Sequence, residues 1–286
     1  MQFRPRRSVL YMPGANARAL EKAKGLPCDA IIFDLEDAVA VDAKTAARDQ
    51  VARALGDGGY GYREIIVRVN GLDTGWGLDD LTAVVGLAVD ALLFPKVETP
   101  EQVAAIIEAL DAAGGNRLPV WLMIETPAGV LNARAVAAAS PRVRCLVMGT
   151  SDLVKELRGR HTPSRSNLSF ALQRCVLAAR EAGIDILDGV HLDFRNAEAF
   201  RQACEQARDM GFDGKTLIHP TQIEAANDVF GYGAGDVDHA RAVIAVWETA
   251  QREGKGVAVL DGQLIENLHA AEAERVLAFA AALSDR

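Results

Sequence analysis

The stretch Val120-Trp-Leu-Met-Ile-Glu-Thr-Pro-Ala-Gly129 decides how this chain is read, because an apolar run ends abruptly in the carboxylate of Glu125. Apolar residues of high β-propensity, buried on both faces, make an internal strand, and Pro127 stops its hydrogen-bonded ladder from continuing. Glu125 is therefore expected at the C-terminal end of a strand. The design recurs at Cys145-Leu-Val-Met-Gly-Thr-Ser-Asp152, where an apolar run opens through Gly149 onto two small hydroxyl residues and a second carboxylate. Two adjacent parallel strands would bring Glu125 and Asp152 together. Carboxylates completed by water and substrate are a usual setting for Mg2+. The alternative is two ordinary loop acids, each capping the helix that follows.

Outward from this stretch, eight apolar runs recur at 8–13, 30–37, 64–70, 91–97, 120–126, 145–152, 184–190 and 214–220. Segments with helical periodicity or helix-forming composition separate them, at 16–24, 43–55, 99–113, 129–139, 166–182 and 196–210. Eight alternations of strand and helix predict an α/β fold, a (β/α)8 TIM barrel. Thr99, Pro100 and Gln102 form a capping-box pattern, and Asn196 precedes Ala197 as an N-cap. Residues 1–234 are expected to form the barrel. From 235 to 286 the chain has already used its eight strands, so this part is expected to be a C-terminal helical extension acting as a lid or interface. Its expected parts are a helix, a short apolar run at 257–260, a turn at Asp261-Gly262, and a last helix over about 263–283. The segment Arg158–Ser166 is polar and expected to be exposed.

Polar residues gather at the C-terminal ends of the runs: Glu36, Asp37, Arg68, Asn70, Lys96, Glu125, Ser151, Asp152, Asp188 and His219. In a barrel those ends share one face, and that face carries the catalytic groups of barrel enzymes. Arg68 ends an apolar strand and points toward acids. Its guanidinium offers a planar fork that stays charged when desolvated, suited to a carboxylate or carbonyl, or to an ion pair with Glu36, Asp37 or Glu125. Lys96 suits a salt bridge in the same cluster, and His219 before Pro220 suits a structural hydrogen bond.

Composition bounds the rest. The net charge of −8 argues against general nucleic-acid affinity, which depends on neutralising phosphates with Lys and Arg. Cys28, Cys145, Cys175 and Cys204 are scattered and include no C-x-x-C pair, which suits reduced core thiols rather than zinc or disulfides. No uncharged apolar run of about 18 residues appears, and the basic start passes directly into a strand, so a cytoplasmic protein with no membrane span is expected.

Seven ordered motifs give the chain a family resemblance. They are Arg7-Ser8-x-Leu10-Tyr11-x-Pro13-Gly14, Asp34-Leu35-Glu36-Asp37-Ala38-Val39, Arg68-Val69-Asn70-Gly71-Leu72-Asp73-Thr74, Pro95-Lys96-Val97, Ile124-Glu125-Thr126-Pro127-Ala128-Gly129, Gly149-Thr150-Ser151-Asp152 and Gly214-Lys215-Thr216-Leu217-Ile218-His219-Pro220. With these the chain resembles the citrate lyase β-subunit-like family of the HpcH/HpaI aldolase superfamily, which includes malyl-CoA, β-methylmalyl-CoA and citramalyl-CoA lyases and malyl-CoA thioesterases. The resemblance implies Mg2+ held by Glu125 and Asp152, and an Arg68 that contacts the oxoacid and stabilises an enolate. It also implies that Tyr11, Lys22, Ser151, Ile218 and His219 bind substrate, with Glu36, Asp37 and Lys96 in support. Its substrates would be an acyl-CoA and a small 2-oxoacid, and a homo-oligomer, trimer or hexamer, is expected.

One departure stands out. In many members of that family the tail ends in a Met-Ile-Asp or Val-Asp motif whose aspartate does acid–base work, often in the active site of a neighbouring subunit; here Glu266 takes that place, in Gly262-Gln263-Leu264-Ile265-Glu266-Asn267-Leu268, and Leu268 replaces the usual proline. The extra methylene carries the carboxylate about 1.5 Å further, a displacement that matters where geometry is strict. It bears on thioester hydrolysis and malate-synthase-like side activity more than on metal binding. The leading expectation is a Mg2+-dependent lyase making or breaking a C–C bond of a small 3-hydroxyacyl-CoA. The alternatives are a (3S)-malyl-CoA-type thioesterase, and a non-catalytic acyl-CoA-binding protein or citrate lyase complex subunit.

Overall fold

The apolar runs pair side by side, in sequence order, and the last closes on the first. In a computed structural model describing residues 4–284 and 286, the strands are β1 (Ser8–Pro13), β2 (Ala30–Asp34), β3 (Glu64–Arg68), β4 (Ala91–Phe94), β5 (Val120–Ile124), β6 (Val143–Met148), β7 (Asp185–Asp188) and β8 (Gly214–Leu217). All eight are parallel and form a closed barrel. Around them run α1 (Ala17–Ala23), α2 (Lys44–Asp57), α3 (Gly77–Val84), α4 (Pro100–Ala112), α5 (Pro127–Ala137), α6 (Thr150–Glu156), α7 (Ser169–Ala182), α8 (Ala197–Met210) and α9 (Ile223–Val229). The (β/α)8 barrel anticipated from the eight runs is therefore present.

The two-residue period of a strand sorts each run into two layers. One set, including Val9, Ile32, Ile66, Leu93, Trp121, Met123, Val147 and Leu187, fills the barrel interior. The other, including Leu10, Phe33, Val67, Leu122, Leu146, Ile186 and Leu217, meets the helices. At about 1.5–3 kcal/mol for each fully buried Ile, Leu or Phe, these layers dominate the barrel's stability. Arg6 closes the N-terminal end: Nε and Nη2 donate to Glu64 at 2.7 Å each, Nη1 donates to Asp185 at 2.5 Å, and the guanidinium lies 4.8 Å from the centre of the Trp121 ring.

Several strands stop earlier than their apolar runs. β2 ends at Asp34, β3 at Arg68, β4 at Phe94 and β5 at Ile124, so Glu36, Asp37, Asn70, Lys96 and Glu125 lie on loops just past the ladder. β6 ends at Met148, and 150–152 opens α6 rather than extending the strand, with Gly149 as its N-cap. The expected caps form: Thr99 and Gln102 make a reciprocal capping box on α4, and the Asn196 side chain accepts from the Ala199 N–H.

The chain divides into two compact units, Arg6–Phe230 and a second that contains Gly231–Arg286. In the second, α10 (Ala234–Arg252) packs on α11 (Asn267–Ser284) through Ala240, Val243, Trp247, Ala270, Ala273 and Val276. Between them, β9 (Ala258–Leu260) and β10 (Gln263–Ile265) form an antiparallel hairpin. The sequence predicts the last helix from about 263. Asp261 (φ 49°) and Gly262 (φ 80°) instead make a tight hairpin turn, the Asp-Gly pair that favours positive φ at both central positions, and the helix starts only at Asn267.

Candidate active site

The interior layer ends in polar groups. Stepping by two along each strand, Val9 leads to Tyr11, Ile32 to Asp34, Ile66 to Arg68, Met123 to Glu125 and Val147 to Gly149. These five residues line one cavity of about 440 Å³, together with Asp37, Met148, Thr150, Ser151, Asp152, Val190, Thr216 and Ile218.

Arg68 is clamped. It stands opposite Asp34 in the β2–β3 register, and it donates through Nε to Oδ1 at 2.7 Å and through Nη2 to Oδ2 at 2.6 Å. Asp34 is itself fixed, accepting from the Glu36 and Ala38 N–H groups at 2.9 and 3.1 Å. Nη1 pairs with Glu36 Oε2 at 2.8 Å without the alignment of a hydrogen bond, and reaches Asp37 at 3.5 Å. The guanidinium lies 4.9 Å from the centre of the Tyr11 ring. Burial pulls the Arg68 pKa down, but Tyr11, Asp34 and Glu36 outweigh it and hold the group well above the usual arginine range, so it stays charged. Asp34 was not among the candidate residues read from the sequence. The signal lay in the alignment of Asp34-Leu-Glu-Asp with Arg68-Val-Asn, which places an acid and a guanidinium at one level of neighbouring strands.

Glu125 is buried, and its Oε1 accepts the Lys96 main-chain N–H at 2.9 Å. Its Oε2 lies over Gly149, where any Cβ would overlap the carboxylate; only glycine fits there. Burial first, then the nearby Glu36, pushes the Glu125 carboxyl up to about 8 against the opposing pull of Lys96. Lys96 adopts φ 51°, unusual for a residue with a side chain. Its ammonium sits 2.9 Å from Glu36 Oε1 and 3.7 Å from Asp152 Oδ2. Burial also raises Glu36, with Arg68 and Lys96 only partly offsetting it. Ser151 Oγ and Tyr11 Oη are buried and make no hydrogen bond among the described residues.

The structure thus gathers Tyr11, Glu36, Asp37, Arg68, Lys96, Glu125, Ser151, Asp152 and Ile218 at one barrel mouth. The other candidates lie apart from that cavity's lining. Lys22 is exposed on α1, and His219 stacks on Phe194 with ring centres 4.7 Å apart while its Nδ1 meets Thr221 Oγ1 at 2.8 Å. Glu266 immediately precedes α11 in the second unit, where its N–H donates to His269 Nδ1 at 3.0 Å. Asp188, grouped with the polar face from its position in the sequence, has the opposite parity. It follows Ile186, away from the barrel axis, and is fully buried against Lys215 Nζ and Arg165 Nη1, the latter at 2.7 and 2.8 Å. Those two cations outweigh burial and hold the Asp188 carboxyl below the usual range. Arg165, expected to be exposed, is instead anchored between Asp188 and Gln206 of α8.

The donor set suits a divalent cation. Asp34, Asp37, Glu125 and Asp152 line the cavity with Arg68 as the only basic lining residue among the described residues, and Oε2 of Glu125 sits in a cradle that a side chain at 149 would fill. Among the described residues no three His, Cys, Asp or Glu side chains converge on one point. Two protein carboxylates, with water and substrate, are the number Mg2+ commonly takes.

Residues 7–220 match the family model described as HpcH/HpaI aldolase/citrate lyase. A (3S)-malyl-CoA thioesterase of Cereibacter sphaeroides (strain ATCC 17025 / ATH 2.4.3) is 50% identical over 283 residues, covering 99% of this chain and 97% of that protein. The citrate lyase subunit beta of Escherichia coli (strain K12) is 39% identical over 269 residues, 92% of this chain and 89% of that one. Among solved structures, CitE from Mycobacterium tuberculosis in complex with magnesium, acetoacetate and coenzyme A superposes with a TM-score of 0.77 at 29% identity, covering 97% of this chain and 98% of that one.

Proposed function

We propose a function from one premise: the chain belongs to the HpcH/HpaI aldolase/citrate lyase family. On our reading it is a Mg2+-dependent lyase that cleaves or forms a C–C bond of a small 3-hydroxyacyl-CoA, of malyl, methylmalyl or citramalyl type. The observation that carries it is the pairing, in one cavity, of a clamped Arg68 fork with an acid-rich mouth at Glu125 and Asp152. Glu125 and Asp152 would hold the metal. When bound, Mg2+ supplies Lewis-acid polarisation of a carbonyl.

The chain's own groups do the rest. Cleavage takes the proton from the 3-hydroxyl, breaks the bond between C2 and C3, and moves that electron pair onto the thioester as an enolate, leaving a 2-oxoacid. The charged Arg68 guanidinium stabilises the developing negative charge; Asp34 keeps it from rotating, so little reorganisation accompanies the step. Glu266, acting in the site of a neighbouring subunit, takes the acid–base role and returns a proton to C2 of the enolate. Ser151 Oγ and Tyr11 Oη, buried without protein partners, serve as substrate contacts. The protein works in the cytoplasm as a homo-oligomer, trimer or hexamer, as light scattering on purified protein will test.

A second reading is favoured by the 50% identity to (3S)-malyl-CoA thioesterases over nearly the whole chain. Product analysis separates the two. Purified protein with Mg2+ and a panel of malyl-, methylmalyl-, citramalyl- and citryl-CoA should give a 2-oxoacid and an acyl-CoA in equal amounts. Free hydroxyacid and CoA thiol in place of the oxoacid would establish the thioesterase. Neither product with any substrate would leave an acyl-CoA-binding protein or complex subunit.

A further inference from the structure

We infer that Lys96 is a positioning residue of the metal site, whose main-chain N–H selects the Glu125 oxygen offered to the metal and whose ammonium, bridging Glu36 and Asp152, opposes the metal's charge. The inference rests on the proposed Mg2+ site. Lys96 has φ 51°, a left-handed conformation that costs a residue with a Cβ and survives where its surroundings over-determine it. That conformation aims the N–H at Glu125 Oε1 at 2.9 Å, and so commits Oε2 to the cradle over Gly149. From the same residue the side chain reaches around the cluster to bridge two acids from different elements, Glu36 after β2 at 2.9 Å and Asp152 on α6 at 3.7 Å. Asp37 and Glu125 also face it. The Lys96 side chain is half exposed while Glu36 is buried, so the ammonium can swing outward while keeping hold of Glu36.

A single positive charge therefore sits beside one of the acids proposed to take a double one, 3.7 Å from Asp152. In the metal-free protein it keeps Glu36 and Asp152 from repelling each other. In the loaded protein it opposes the metal, which tunes affinity downward and makes retention depend on the ligands that the oxoacid adds. Removing the ammonium while keeping the main-chain N–H should then tighten metal binding and loosen the empty protein.

The test is titration calorimetry of Mg2+ into wild type, Lys96→Met and Lys96→Gly, with melting curves in the presence and absence of the metal. Both variants keep the N–H; glycine also suits the positive φ, which guards against a misfolded methionine variant. Both should bind Mg2+ about tenfold or more tightly than wild type. Lys96→Met should melt below wild type without metal and close that gap at saturating Mg2+. Wild-type binding with unchanged or weaker binding by the variants would overturn the role of Lys96 alone. Absence of Mg2+ binding by wild type would overturn the metal site itself, and this inference with it.

Discussion

Lowering the pH should remove Mg2+ from this protein well above the range in which ordinary glutamates titrate. Glu125 is buried beside Glu36, and its carboxyl is pushed from 4.5 to about 8 in the metal-free protein. Only the ionised carboxylate is a ligand, so metal and proton compete for one group. A group titrating near 8 is about nine-tenths protonated at pH 7, so each Mg2+ bound should release about 0.9 proton there and about 0.1 at pH 9. Apparent affinity should fall about tenfold per pH unit below 8, reaching about a hundredth of its alkaline plateau at pH 6. Stability without metal moves with the same proton. The folded state holds it where the unfolded state has lost it, so this contribution is full below 4.5 and is lost as pH rises through about 8, a span of about 5 kcal/mol. Calorimetry in two buffers of different ionisation heat measures the proton count directly, and denaturant titration follows the stability. Equal Mg2+ affinity at pH 6 and pH 8.5, with no proton released at neutral pH, would refute the assignment of Glu125 as a buried, protonated ligand.

Arg68→Lys should bind Mg2+ as wild type does yet lose most C–C bond turnover, because lysine keeps the charge without the fork that Asp34 holds; near wild-type turnover would make Arg68 a structural ion-pair partner only. Gly149→Ala should fold, as circular dichroism can check, but lose measurable Mg2+ binding, since its Cβ would displace the Glu125 carboxylate; unchanged affinity would move the metal away from Oε2. Glu266→Gln should reduce turnover by about 10²–10⁴-fold with Mg2+ affinity intact, whereas full activity with every accepted substrate would end its acid–base role. Glu266→Asp tests the departure from the family motif separately, and a gain in thioester hydrolysis would show that the longer side chain suppresses it.

The barrel was legible because each strand is a short apolar run with a polar tip, and the tips of parallel strands must share a face. Glu125 and Arg68 could be placed from that alone. What escaped the sequence reading depends on parity and on register. Asp188 also ends a strand, but Ile186 and Asp188 sit on the layer that faces the helices, so its acid meets Lys215 and Arg165 rather than substrate. Those partners lie 27 and 23 residues away, beyond any local pattern. Asp34 escaped because its importance lies in standing level with Arg68 on the next strand. The short helices α3, α6 and α9, of 8, 7 and 7 residues, are too brief for a periodic signal, and α6 follows its strand with only Gly149 between. The left-handed backbone of Lys96 has no signature at all in a Pro-Lys-Val sequence.

The plugged floor of the barrel also governs traffic. Beneath Arg68 the interior is packed with Ile66, Leu93, Trp121 and Val147, down to the Arg6 fork on Glu64 and Asp185. Among the described residues there is no back door, so in the proposed reaction the 2-oxoacid and the acyl-CoA would share one opening. Whichever lies deeper is boxed in by the other, first to arrive and last to depart. Product release in cleavage should accordingly be ordered, with the shallower product, released first, a noncompetitive inhibitor and the deeper one, released last, competing with the 3-hydroxyacyl-CoA.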